Sequence, residues 1–196
     1  MADMQSHTPE GSIEALRGSN IVLVGMRGSG KTEVAKLLRS GIESRDGRKM
    51  QVIDTDDVIE KREGMPINEI VETKGEDYFR KLEDEVVQHA ARQTNAIIAT
   101  GGGAITRPEN IYALRQNSFV VWLKANVPVL EERLKGKNLF PLNNEPTLSA
   151  KMEKTLTERK DFYERAKDEV LDTTSLTLDD VAKEIYEMIK KRKAKA

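Results

Sequence analysis

The feature that most constrains this chain is the motif G-x-x-x-x-G-K-[ST], which begins at Gly25 and ends at Thr32. An apolar run, residues 21–24, precedes it, and apolar residues at helical spacing follow it. In this strand–loop–helix order the glycines allow a tight turn that presents backbone N–H groups to phosphates at a helix N-terminus. We expect Lys31 to contact the β- and γ-phosphates of a nucleotide and Thr32 to bind Mg²⁺. The alternative is an ordinary glycine-rich turn. The residues predicted to hold the nucleotide phosphates are Gly28, Ser29, Gly30, Lys31 and Thr32.

Length and charge exclude several classes of protein. A chain of 196 residues predicts a single domain, residues 20–196, after a flexible polar leader, residues 1–19. The formal net charge is −1 although 33% of residues are charged, so no overall field favours nucleic acid or an anionic membrane. Cysteine is absent and histidine occurs twice, which excludes disulfides and disfavours histidine-based metal sites. We expect a cytoplasmic monomer that binds a small molecule and contacts neither nucleic acid nor membranes.

Apolar runs alternate with helical patterns along the chain, which is typical of an α/β protein with a parallel sheet. The link at residues 41–49 and the segment at residues 136–144 have no clear period, and we expect the latter to be a mobile loop. Trp122 lies inside an apolar run and is expected in the core. The predicted strands are residues 21–24, 50–53, 96–100, 119–123 and 169–171.

Three loops are expected to meet at one edge of this sheet, because parallel α/β sheets bind ligands beyond the carboxyl ends of their strands. One is the phosphate loop, and the second contains Asp54, Asp56 and Asp57. Asp54 would hold Mg²⁺ through water and Asp56 would accept a proton from a substrate hydroxyl, whereas Asp57 is expected only to cap the next helix. The third loop would wrap a small acceptor or form a tight turn, and it is a run of glycines: Gly101, Gly102 and Gly103.

Three arginines remain ambiguous from spacing alone. Arg80 has Glu76 and Glu83 at helical distance, so a surface ion pair explains it adequately. Arg133 and Arg159 lie in charged helical segments and would be interpreted as solvated.

The motifs, taken in order, resemble those of shikimate kinases over residues 20–189. The matching pieces are the phosphate loop, Asp54-Thr55-Asp56, Phe79-Arg80-Lys81-Leu82-Glu83, the three glycines, and Arg159 followed by Tyr163. The resemblance implies a three-layer αβα fold with a five-stranded parallel sheet, of the P-loop and nucleoside-monophosphate-kinase type. It also implies a substrate-binding helical region at about residues 55–90 and a mobile lid at about residues 136–150.

The resemblance further implies transfer of the γ-phosphoryl group of ATP, with Mg²⁺, to the 3-hydroxyl of shikimate, giving 3-phosphoshikimate and ADP. In that family's pattern Asp56 holds the substrate hydroxyls and is the candidate base, and Arg80 and Arg159 bind the substrate carboxylate in a pocket lined by the three glycines. Arg133 matches the arginine that packs on adenine. Two alternatives stay open: a kinase of another hydroxy acid such as gluconate, and a catalytically silent nucleotide-binding protein.

The lid departs from the family's pattern. Shikimate kinases usually carry Arg-Pro-Leu-Leu there, whereas this chain has Phe140 in place of the arginine. Loss of an arginine that reaches the transferring phosphate costs about 10³–10⁵ in rate in other phosphoryl-transfer enzymes. Lys137 is the candidate catalytic replacement and Lys135 is the other; weak activity or a different substrate are the remaining explanations.

Overall fold

The computed structural model describes residues 18–135 and 147–193. Its centre is a five-stranded sheet in which all neighbouring strands are parallel, in the order β2-β3-β1-β4-β5. This confirms the predicted α/β class, and each predicted strand is present within two residues at either end. The strands are β1 (Asn20–Val24), β2 (Gln51–Asp54), β3 (Ala96–Ala99), β4 (Ser118–Lys124) and β5 (Glu169–Asp172).

Helices connect the strands and cover both faces of the sheet. A short 3₁₀ helix, Ala104–Thr106, follows the three glycines. The α-helices of the described residues are α1 (Lys31–Asp46), α2 (Thr55–Glu63), α3 (Ile67–Lys74), α4 (Glu76–Ala91), α5 (Pro108–Gln116), α6 (Val127–Leu134), α7 (Leu148–Ala166) and α8 (Leu178–Lys193).

The alternation of side chains along β1 produces the three layers. Ile21 and Leu23 point to one face, where they pack against α1 and α8, while Val22 and Val24 point to the other face, against α4, α5 and α7. All four side chains are buried, as expected for a central strand of a parallel sheet with helices on both sides. Trp122 is in this core and stacks on Tyr163, with ring centroids 5.2 Å apart, so the prediction of a core role is confirmed.

Helices α2, α3 and α4 pack around a smaller apolar cluster of their own, whose buried members include Ile59, Ile70, Phe79 and Leu82. These helices span the region, about residues 55–90, for which the family resemblance predicts a substrate-binding role. Its position beside the carboxyl ends of β2 and β3 brings Arg80 of α4 close to the glycine loop.

Several local predictions were wrong. The polar link at residues 41–49 is largely helical, because α1 continues to Asp46 before Gly47 ends it with a φ of 63°. Asp57 does not cap α2, since the Asp54 carboxylate accepts from the backbone N–H groups of Asp56 and Asp57. Helix α5 begins at Pro108 and has no side-chain cap.

Part of the predicted organisation lies outside the described residues. The residues outside the described ranges include 1–17 of the predicted leader, and Lys137 and Phe140 of the predicted lid. Helix α7 begins at Leu148, where the side chain of Thr147 accepts from the backbone N–H of Ala150. In the described ranges, no helix has the length and apolar character needed to cross a membrane.

Candidate active site

The phosphate loop leaves the N-terminus of α1 uncovered. Gly30 precedes α1 with a φ of 89°, and no side chain caps the helix, so its first N–H groups are available to an anion. Gly25 is required for a second reason. A Cβ atom at this position would lie 2.5 Å from the carbonyl oxygen of Leu123 in β4, so any larger residue would push the loop away from the sheet.

Lys31 lies folded back into the loop. Its Nζ donates to the carbonyl oxygens of Gly25 and Met26, at 2.9 and 3.0 Å, and the side chain is buried. Burial lowers the pKa of Lys31 to about 8, although Asp56 and Asp54 act in the opposite direction. The carbonyl contacts hold the ammonium group where phosphates would meet it, and a bound phosphate chain would further favour its charged form.

Thr32 and Asp54 come together although the strand before Thr32 and the strand that ends at Asp54, β1 and β2, are not neighbours in the sheet. Asp54 is the last residue of β2, and β3 lies between β2 and β1 in the sheet. Contact is made instead through α1, where the Thr32 hydroxyl donates to Asp54 Oδ2 at 2.5 Å. A hydroxyl and a carboxylate are hard oxygen ligands of the kind that suits Mg²⁺, which commonly keeps several waters and binds substrate phosphates.

Asp56 lies in the first turn of α2, at the floor of the cleft beside Lys31. Desolvation is the largest cause that raises its pKa to about 6, and the nearby carboxylates of Asp54 and Glu83 add to the shift. Lys31 and Arg27 partly oppose the shift. A carboxyl group with a pKa near neutrality is suited to accept a proton from a hydroxyl group.

Arg80 is held by two carboxylates. Its guanidinium contacts Glu83 at 2.7 Å and Glu76 at 3.1 Å, so both predicted ion pairs exist. The expectation of a purely surface pair was wrong, however, because Glu83 is only 2% exposed. Burial raises the pKa of Glu83, while the Arg80 charge lowers it. The pair therefore positions the Arg80 guanidinium at the wall of a pocket instead of leaving it in solvent.

The three-glycine loop brings its backbone close to these charged groups. A Cβ at Gly101 would lie 2.5 Å from Asp56 Oδ1, and one at Gly103 would lie 2.5 Å from Arg80 Nη1. The Gly101 N–H donates to the buried Thr55 hydroxyl at 2.8 Å, which ties the glycine loop to α2. These glycines are therefore needed for close approach.

Arg159 of α7 reaches the same loop from the opposite side. A Cβ at Gly102 would lie 3.5 Å from Arg159 Nη1. One helical turn later, the buried Tyr163 hydroxyl donates to the Gly102 carbonyl at 2.9 Å. Desolvation is the main cause that raises the pKa of Tyr163 to about 12, so this hydroxyl stays protonated and keeps donating. The sequence had favoured a solvated Arg159, but the side chain is half-buried and faces the pocket.

Arg133 lies at the other end of the site. Its guanidinium donates to the carbonyl and the hydroxyl of Thr173, at 2.8 and 3.2 Å, so it too is more than a solvated residue. Beside it, the chain from Leu176 to Leu178 lines the same cleft as the phosphate loop. This wall has the planar cation and apolar side chains that suit a nucleotide base.

The site consists of two connected cavities. The larger cleft, of about 740 Å³, contains the phosphate loop, Asp54 and Arg133. The smaller pocket, of about 100 Å³, is lined by residues that include Arg80, Arg159 and Gly103. Four residues line both cavities and mark their junction: Arg27, Asp56, Ile67 and Gly102. The volumes favour a nucleotide in the cleft and a small acceptor in the pocket, and Arg80 with Arg159 favours an acceptor that carries a negative charge.

The structure thus brings together all the sequence-predicted site residues that it describes, whereas Lys137 lies outside the described ranges. Lys135, the other lysine considered, is exposed and its Nζ pairs with Glu132. The sequence predicted no role in the site for Arg27, for Thr55 or for the segment from Leu176 to Leu178. Arg27 occupies one of the positions of the phosphate-loop motif where any residue is allowed, so the motif does not indicate a role for it.

The parallel sheet, the uncovered helix after the phosphate loop and the adjoining acceptor pocket define a P-loop kinase fold. The family model described as "Shikimate kinase" matches residues 27–190. A shikimate kinase of Symbiobacterium thermophilum is 41% identical over 175 residues, covering 88% of this chain and 97% of that protein. The chain belongs to the shikimate kinase family.

Solved structures agree with this assignment. A shikimate kinase from Acinetobacter baumannii, in complex with shikimate, is similar with a TM-score of 0.83 and 31% identity, covering 92% of this chain and 98% of that chain. A gluconokinase from Sinorhizobium meliloti is also similar, with a TM-score of 0.52 and 17% identity, covering 91% and 95% of the two chains. At that identity the gluconokinase shares the fold alone.

We predict that alanine at the first and third glycines produces different kinetic defects. Gly101→Ala displaces the Asp56 carboxylate and should lower kcat by roughly 10²-fold, because small misplacements of a reacting group are costly. Gly103→Ala displaces the Arg80 guanidinium and should raise KM for the acceptor by roughly tenfold. Steady-state kinetics for both substrates measure the two effects.

The matched control is Gly41→Ala. Gly41 lies within α1, and the space that a Cβ would take there is open, so this change should leave both kinetic constants unaltered. Equal defects in kcat and KM for the two loop variants would contradict separate roles for Asp56 and Arg80.

A second prediction concerns stability. The pKa of Asp56 is raised in the folded state from an ordinary 3.8 to about 6, so its contribution to stability is present below about pH 4 and is lost as the pH rises through 6. Asp56→Asn should therefore increase the free energy of unfolding at pH 7.5 by about 1–3 kcal/mol. Urea denaturation at pH 7.5 and pH 5 should show the gain shrinking at the lower pH.

Asp57→Asn serves as the control, because Asp57 is exposed in the same turn and should change stability by no more than about 0.5 kcal/mol. An Asp56→Asn protein no more stable than the parent at pH 7.5 would show that Asp56 is not destabilised by its surroundings.

Proposed function

We propose that this protein is a shikimate kinase that transfers the γ-phosphoryl group of ATP to the 3-hydroxyl of shikimate. The observation that carries the proposal is the junction of the two cavities, where Asp56 lies between the phosphate loop and a pocket lined by Arg80 and Arg159. Two guanidinium groups match a carboxylate in bidentate geometry better than lysines would. The proposal is supported by the similarity to a family whose member from Acinetobacter baumannii was solved with shikimate.

In this mechanism the protein mainly orients groups and neutralises charge. Arg80 and Arg159 bind the acceptor carboxylate, and Gly101, Gly102 and Gly103 line the space around the ring. Asp56 accepts the proton of the attacking hydroxyl as its oxygen bonds to the γ-phosphorus. Lys31 and the N–H groups of Gly28, Ser29 and Gly30 bind the phosphate chain, while Arg133 packs against the base.

We propose that Thr32 and Asp54 would hold Mg²⁺, Thr32 directly and Asp54 through water. The proposal is supported by the hydrogen bond that the Thr32 hydroxyl donates to Asp54 Oδ2, since the two oxygens are close together. Bound there, the ion would neutralise charge on the β- and γ-phosphates. No group of three or more potential metal-binding side chains occurs in the described ranges, which fits an ion that relies on water and phosphate for its other ligands.

A coupled assay of ADP release with shikimate and Mg·ATP tests the function directly. The parent protein should turn over shikimate well above its background ATPase rate, and Lys31→Ala should reduce turnover by roughly 10²-fold or more. Asp56→Asn should also lose turnover while binding ATP with nearly unchanged affinity, measured by calorimetry. Absence of shikimate-dependent ADP release would refute the proposal, and full activity of Asp56→Asn would refute the assignment of the base.

The same assay with gluconate separates the second candidate. The fold is shared with a gluconokinase, and two arginines in a pocket suit a carboxylate of either acceptor without distinguishing a ring from an open chain. A higher kcat/KM for gluconate than for shikimate would assign the protein to the alternative.

The pH dependence of kcat/KM should be bell-shaped, with limbs near pH 6 and pH 8. Below about pH 6 Asp56 becomes protonated and no longer accepts a proton. Above about pH 8 Lys31 loses the charge that attracts phosphates. The profile should be measured with the fully ionised nucleotide held at constant concentration, and a flat profile from pH 5 to pH 9 would contradict these assignments. The alkaline limb should disappear in Lys31→Arg.

A further inference from the structure

One charged side chain at the junction of the two cavities has no role in the mechanism above. Arg27 is the third residue of the phosphate-loop motif, and its side chain lines both the nucleotide cleft and the acceptor pocket. Of the four residues that line both cavities, Arg27 and Asp56 are the two with charged side chains. A phosphoryl group that moves from one cavity to the other must cross the junction that these residues line.

Arg27 is also without a partner in the described part of the chain. Its guanidinium makes no hydrogen bond or ion pair there, whereas Arg80 and Arg133 are each held by neighbouring oxygens. The residue is half-buried, so it is not simply solvated. A half-buried guanidinium that forms no hydrogen bond or ion pair with the described residues, and that lines a phosphate cleft, is a ready binding group for a charge that arrives with the substrate.

The surroundings of Arg27 place its charge close to the reacting groups. The positive charge of Arg27 lowers the pKa of Lys31, which burial lowers most, and it opposes the burial that raises the pKa of Asp56. Its backbone N lies 3.4 Å from the position of a Cβ at Gly102, so the residue sits against the glycine loop. Both observations locate Arg27 beside the path of the transferred group.

We propose that Arg27 is a further catalytic residue, whose guanidinium binds the γ-phosphoryl group while it moves from ATP to the acceptor hydroxyl. This inference rests on the proposed kinase function. In the step, the hydroxyl oxygen forms a bond to the γ-phosphorus and its proton passes to Asp56. The bond from phosphorus to the β–γ bridging oxygen breaks, and ADP leaves with the electron pair. Arg27 stabilises the charge on the equatorial oxygens of the group in flight.

The test compares Arg27→Met, Arg27→Lys and the parent protein. Met keeps an unbranched, flexible side chain but removes the charge, so kcat should fall by about 10²–10³-fold while the Kd for Mg·ADP changes by less than about twofold. Lys restores the charge without the planar fork and should recover part of kcat. Affinity for Mg·ADP with aluminium fluoride and the acceptor, a mimic of the group in flight, should fall by a factor similar to that for kcat.

Arg39→Met is the matched control, because Arg39 is an exposed arginine on α1 and belongs to neither cavity of the site. It should leave kcat and the affinity for the mimic unchanged. Thermal denaturation shows whether each variant is folded, and if Arg27→Met is not, Arg27→Lys decides through its kcat and its affinity for the mimic.

Three results would overturn the inference. Unchanged kcat in Arg27→Met is one, and an increase in acceptor KM with normal kcat is another, since it would make Arg27 a carboxylate-binding residue. The third is an equal loss of affinity for Mg·ADP and for the mimic, which would indicate ground-state nucleotide binding only. Failure of the kinase function itself appears separately, as absence of acceptor phosphorylation by the parent protein, and the affinities for the mimic then still decide the role of Arg27.

Discussion

The site depends on the removal of water from two opposite charges, those of Lys31 and Asp56. Burial shifts the pKa of each group toward neutrality, to about 8 and about 6, although each charge favours the ionised form of the other. Desolvation therefore outweighs their mutual attraction in the free protein. Phosphates beside Lys31 and a substrate hydroxyl beside Asp56 would stabilise the ionised forms, so that part of the free energy lost in burying these charges is recovered when substrates bind.

Three hydrogen bonds between separate parts of the fold hold the site residues in place. Thr32 donates to Asp54, Gly101 donates to Thr55, and Tyr163 donates to the Gly102 carbonyl. Together they connect α1, α2, the glycine loop and α7 around the junction of the two cavities. Since each bond involves a backbone group or a short side chain, little conformational freedom remains to be lost when the substrate arrives.

The sequence predicted those features that have a local signal. The phosphate loop, the strands and the glycine loop carry spacing or composition that is visible without the fold. Residues whose role depends on distant contacts gave no such signal: the burial of Glu83 and the nucleotide wall at Leu176 arise only when α4 and the start of α8 reach the carboxyl edge of the sheet. The roles of Arg80 and Arg159 came from family resemblance, because their spacing alone is that of ordinary helix-surface residues.

The position of Arg27 bears on how transfer is separated from hydrolysis. An arginine on a lid reaches the phosphate only after the lid has moved, so the rate of transfer depends on closure. An arginine in the phosphate loop is present as soon as ATP binds, and the barrier to transfer to water is then lowered as well. Protection of ATP against hydrolysis must in that case come from the acceptor side. There Asp56 lies at the junction of the two cavities and acts only on a hydroxyl group that is correctly placed. With Phe140 where the family usually has its lid arginine, selection against water would rest on occupancy of the pocket held by Arg80 and Arg159.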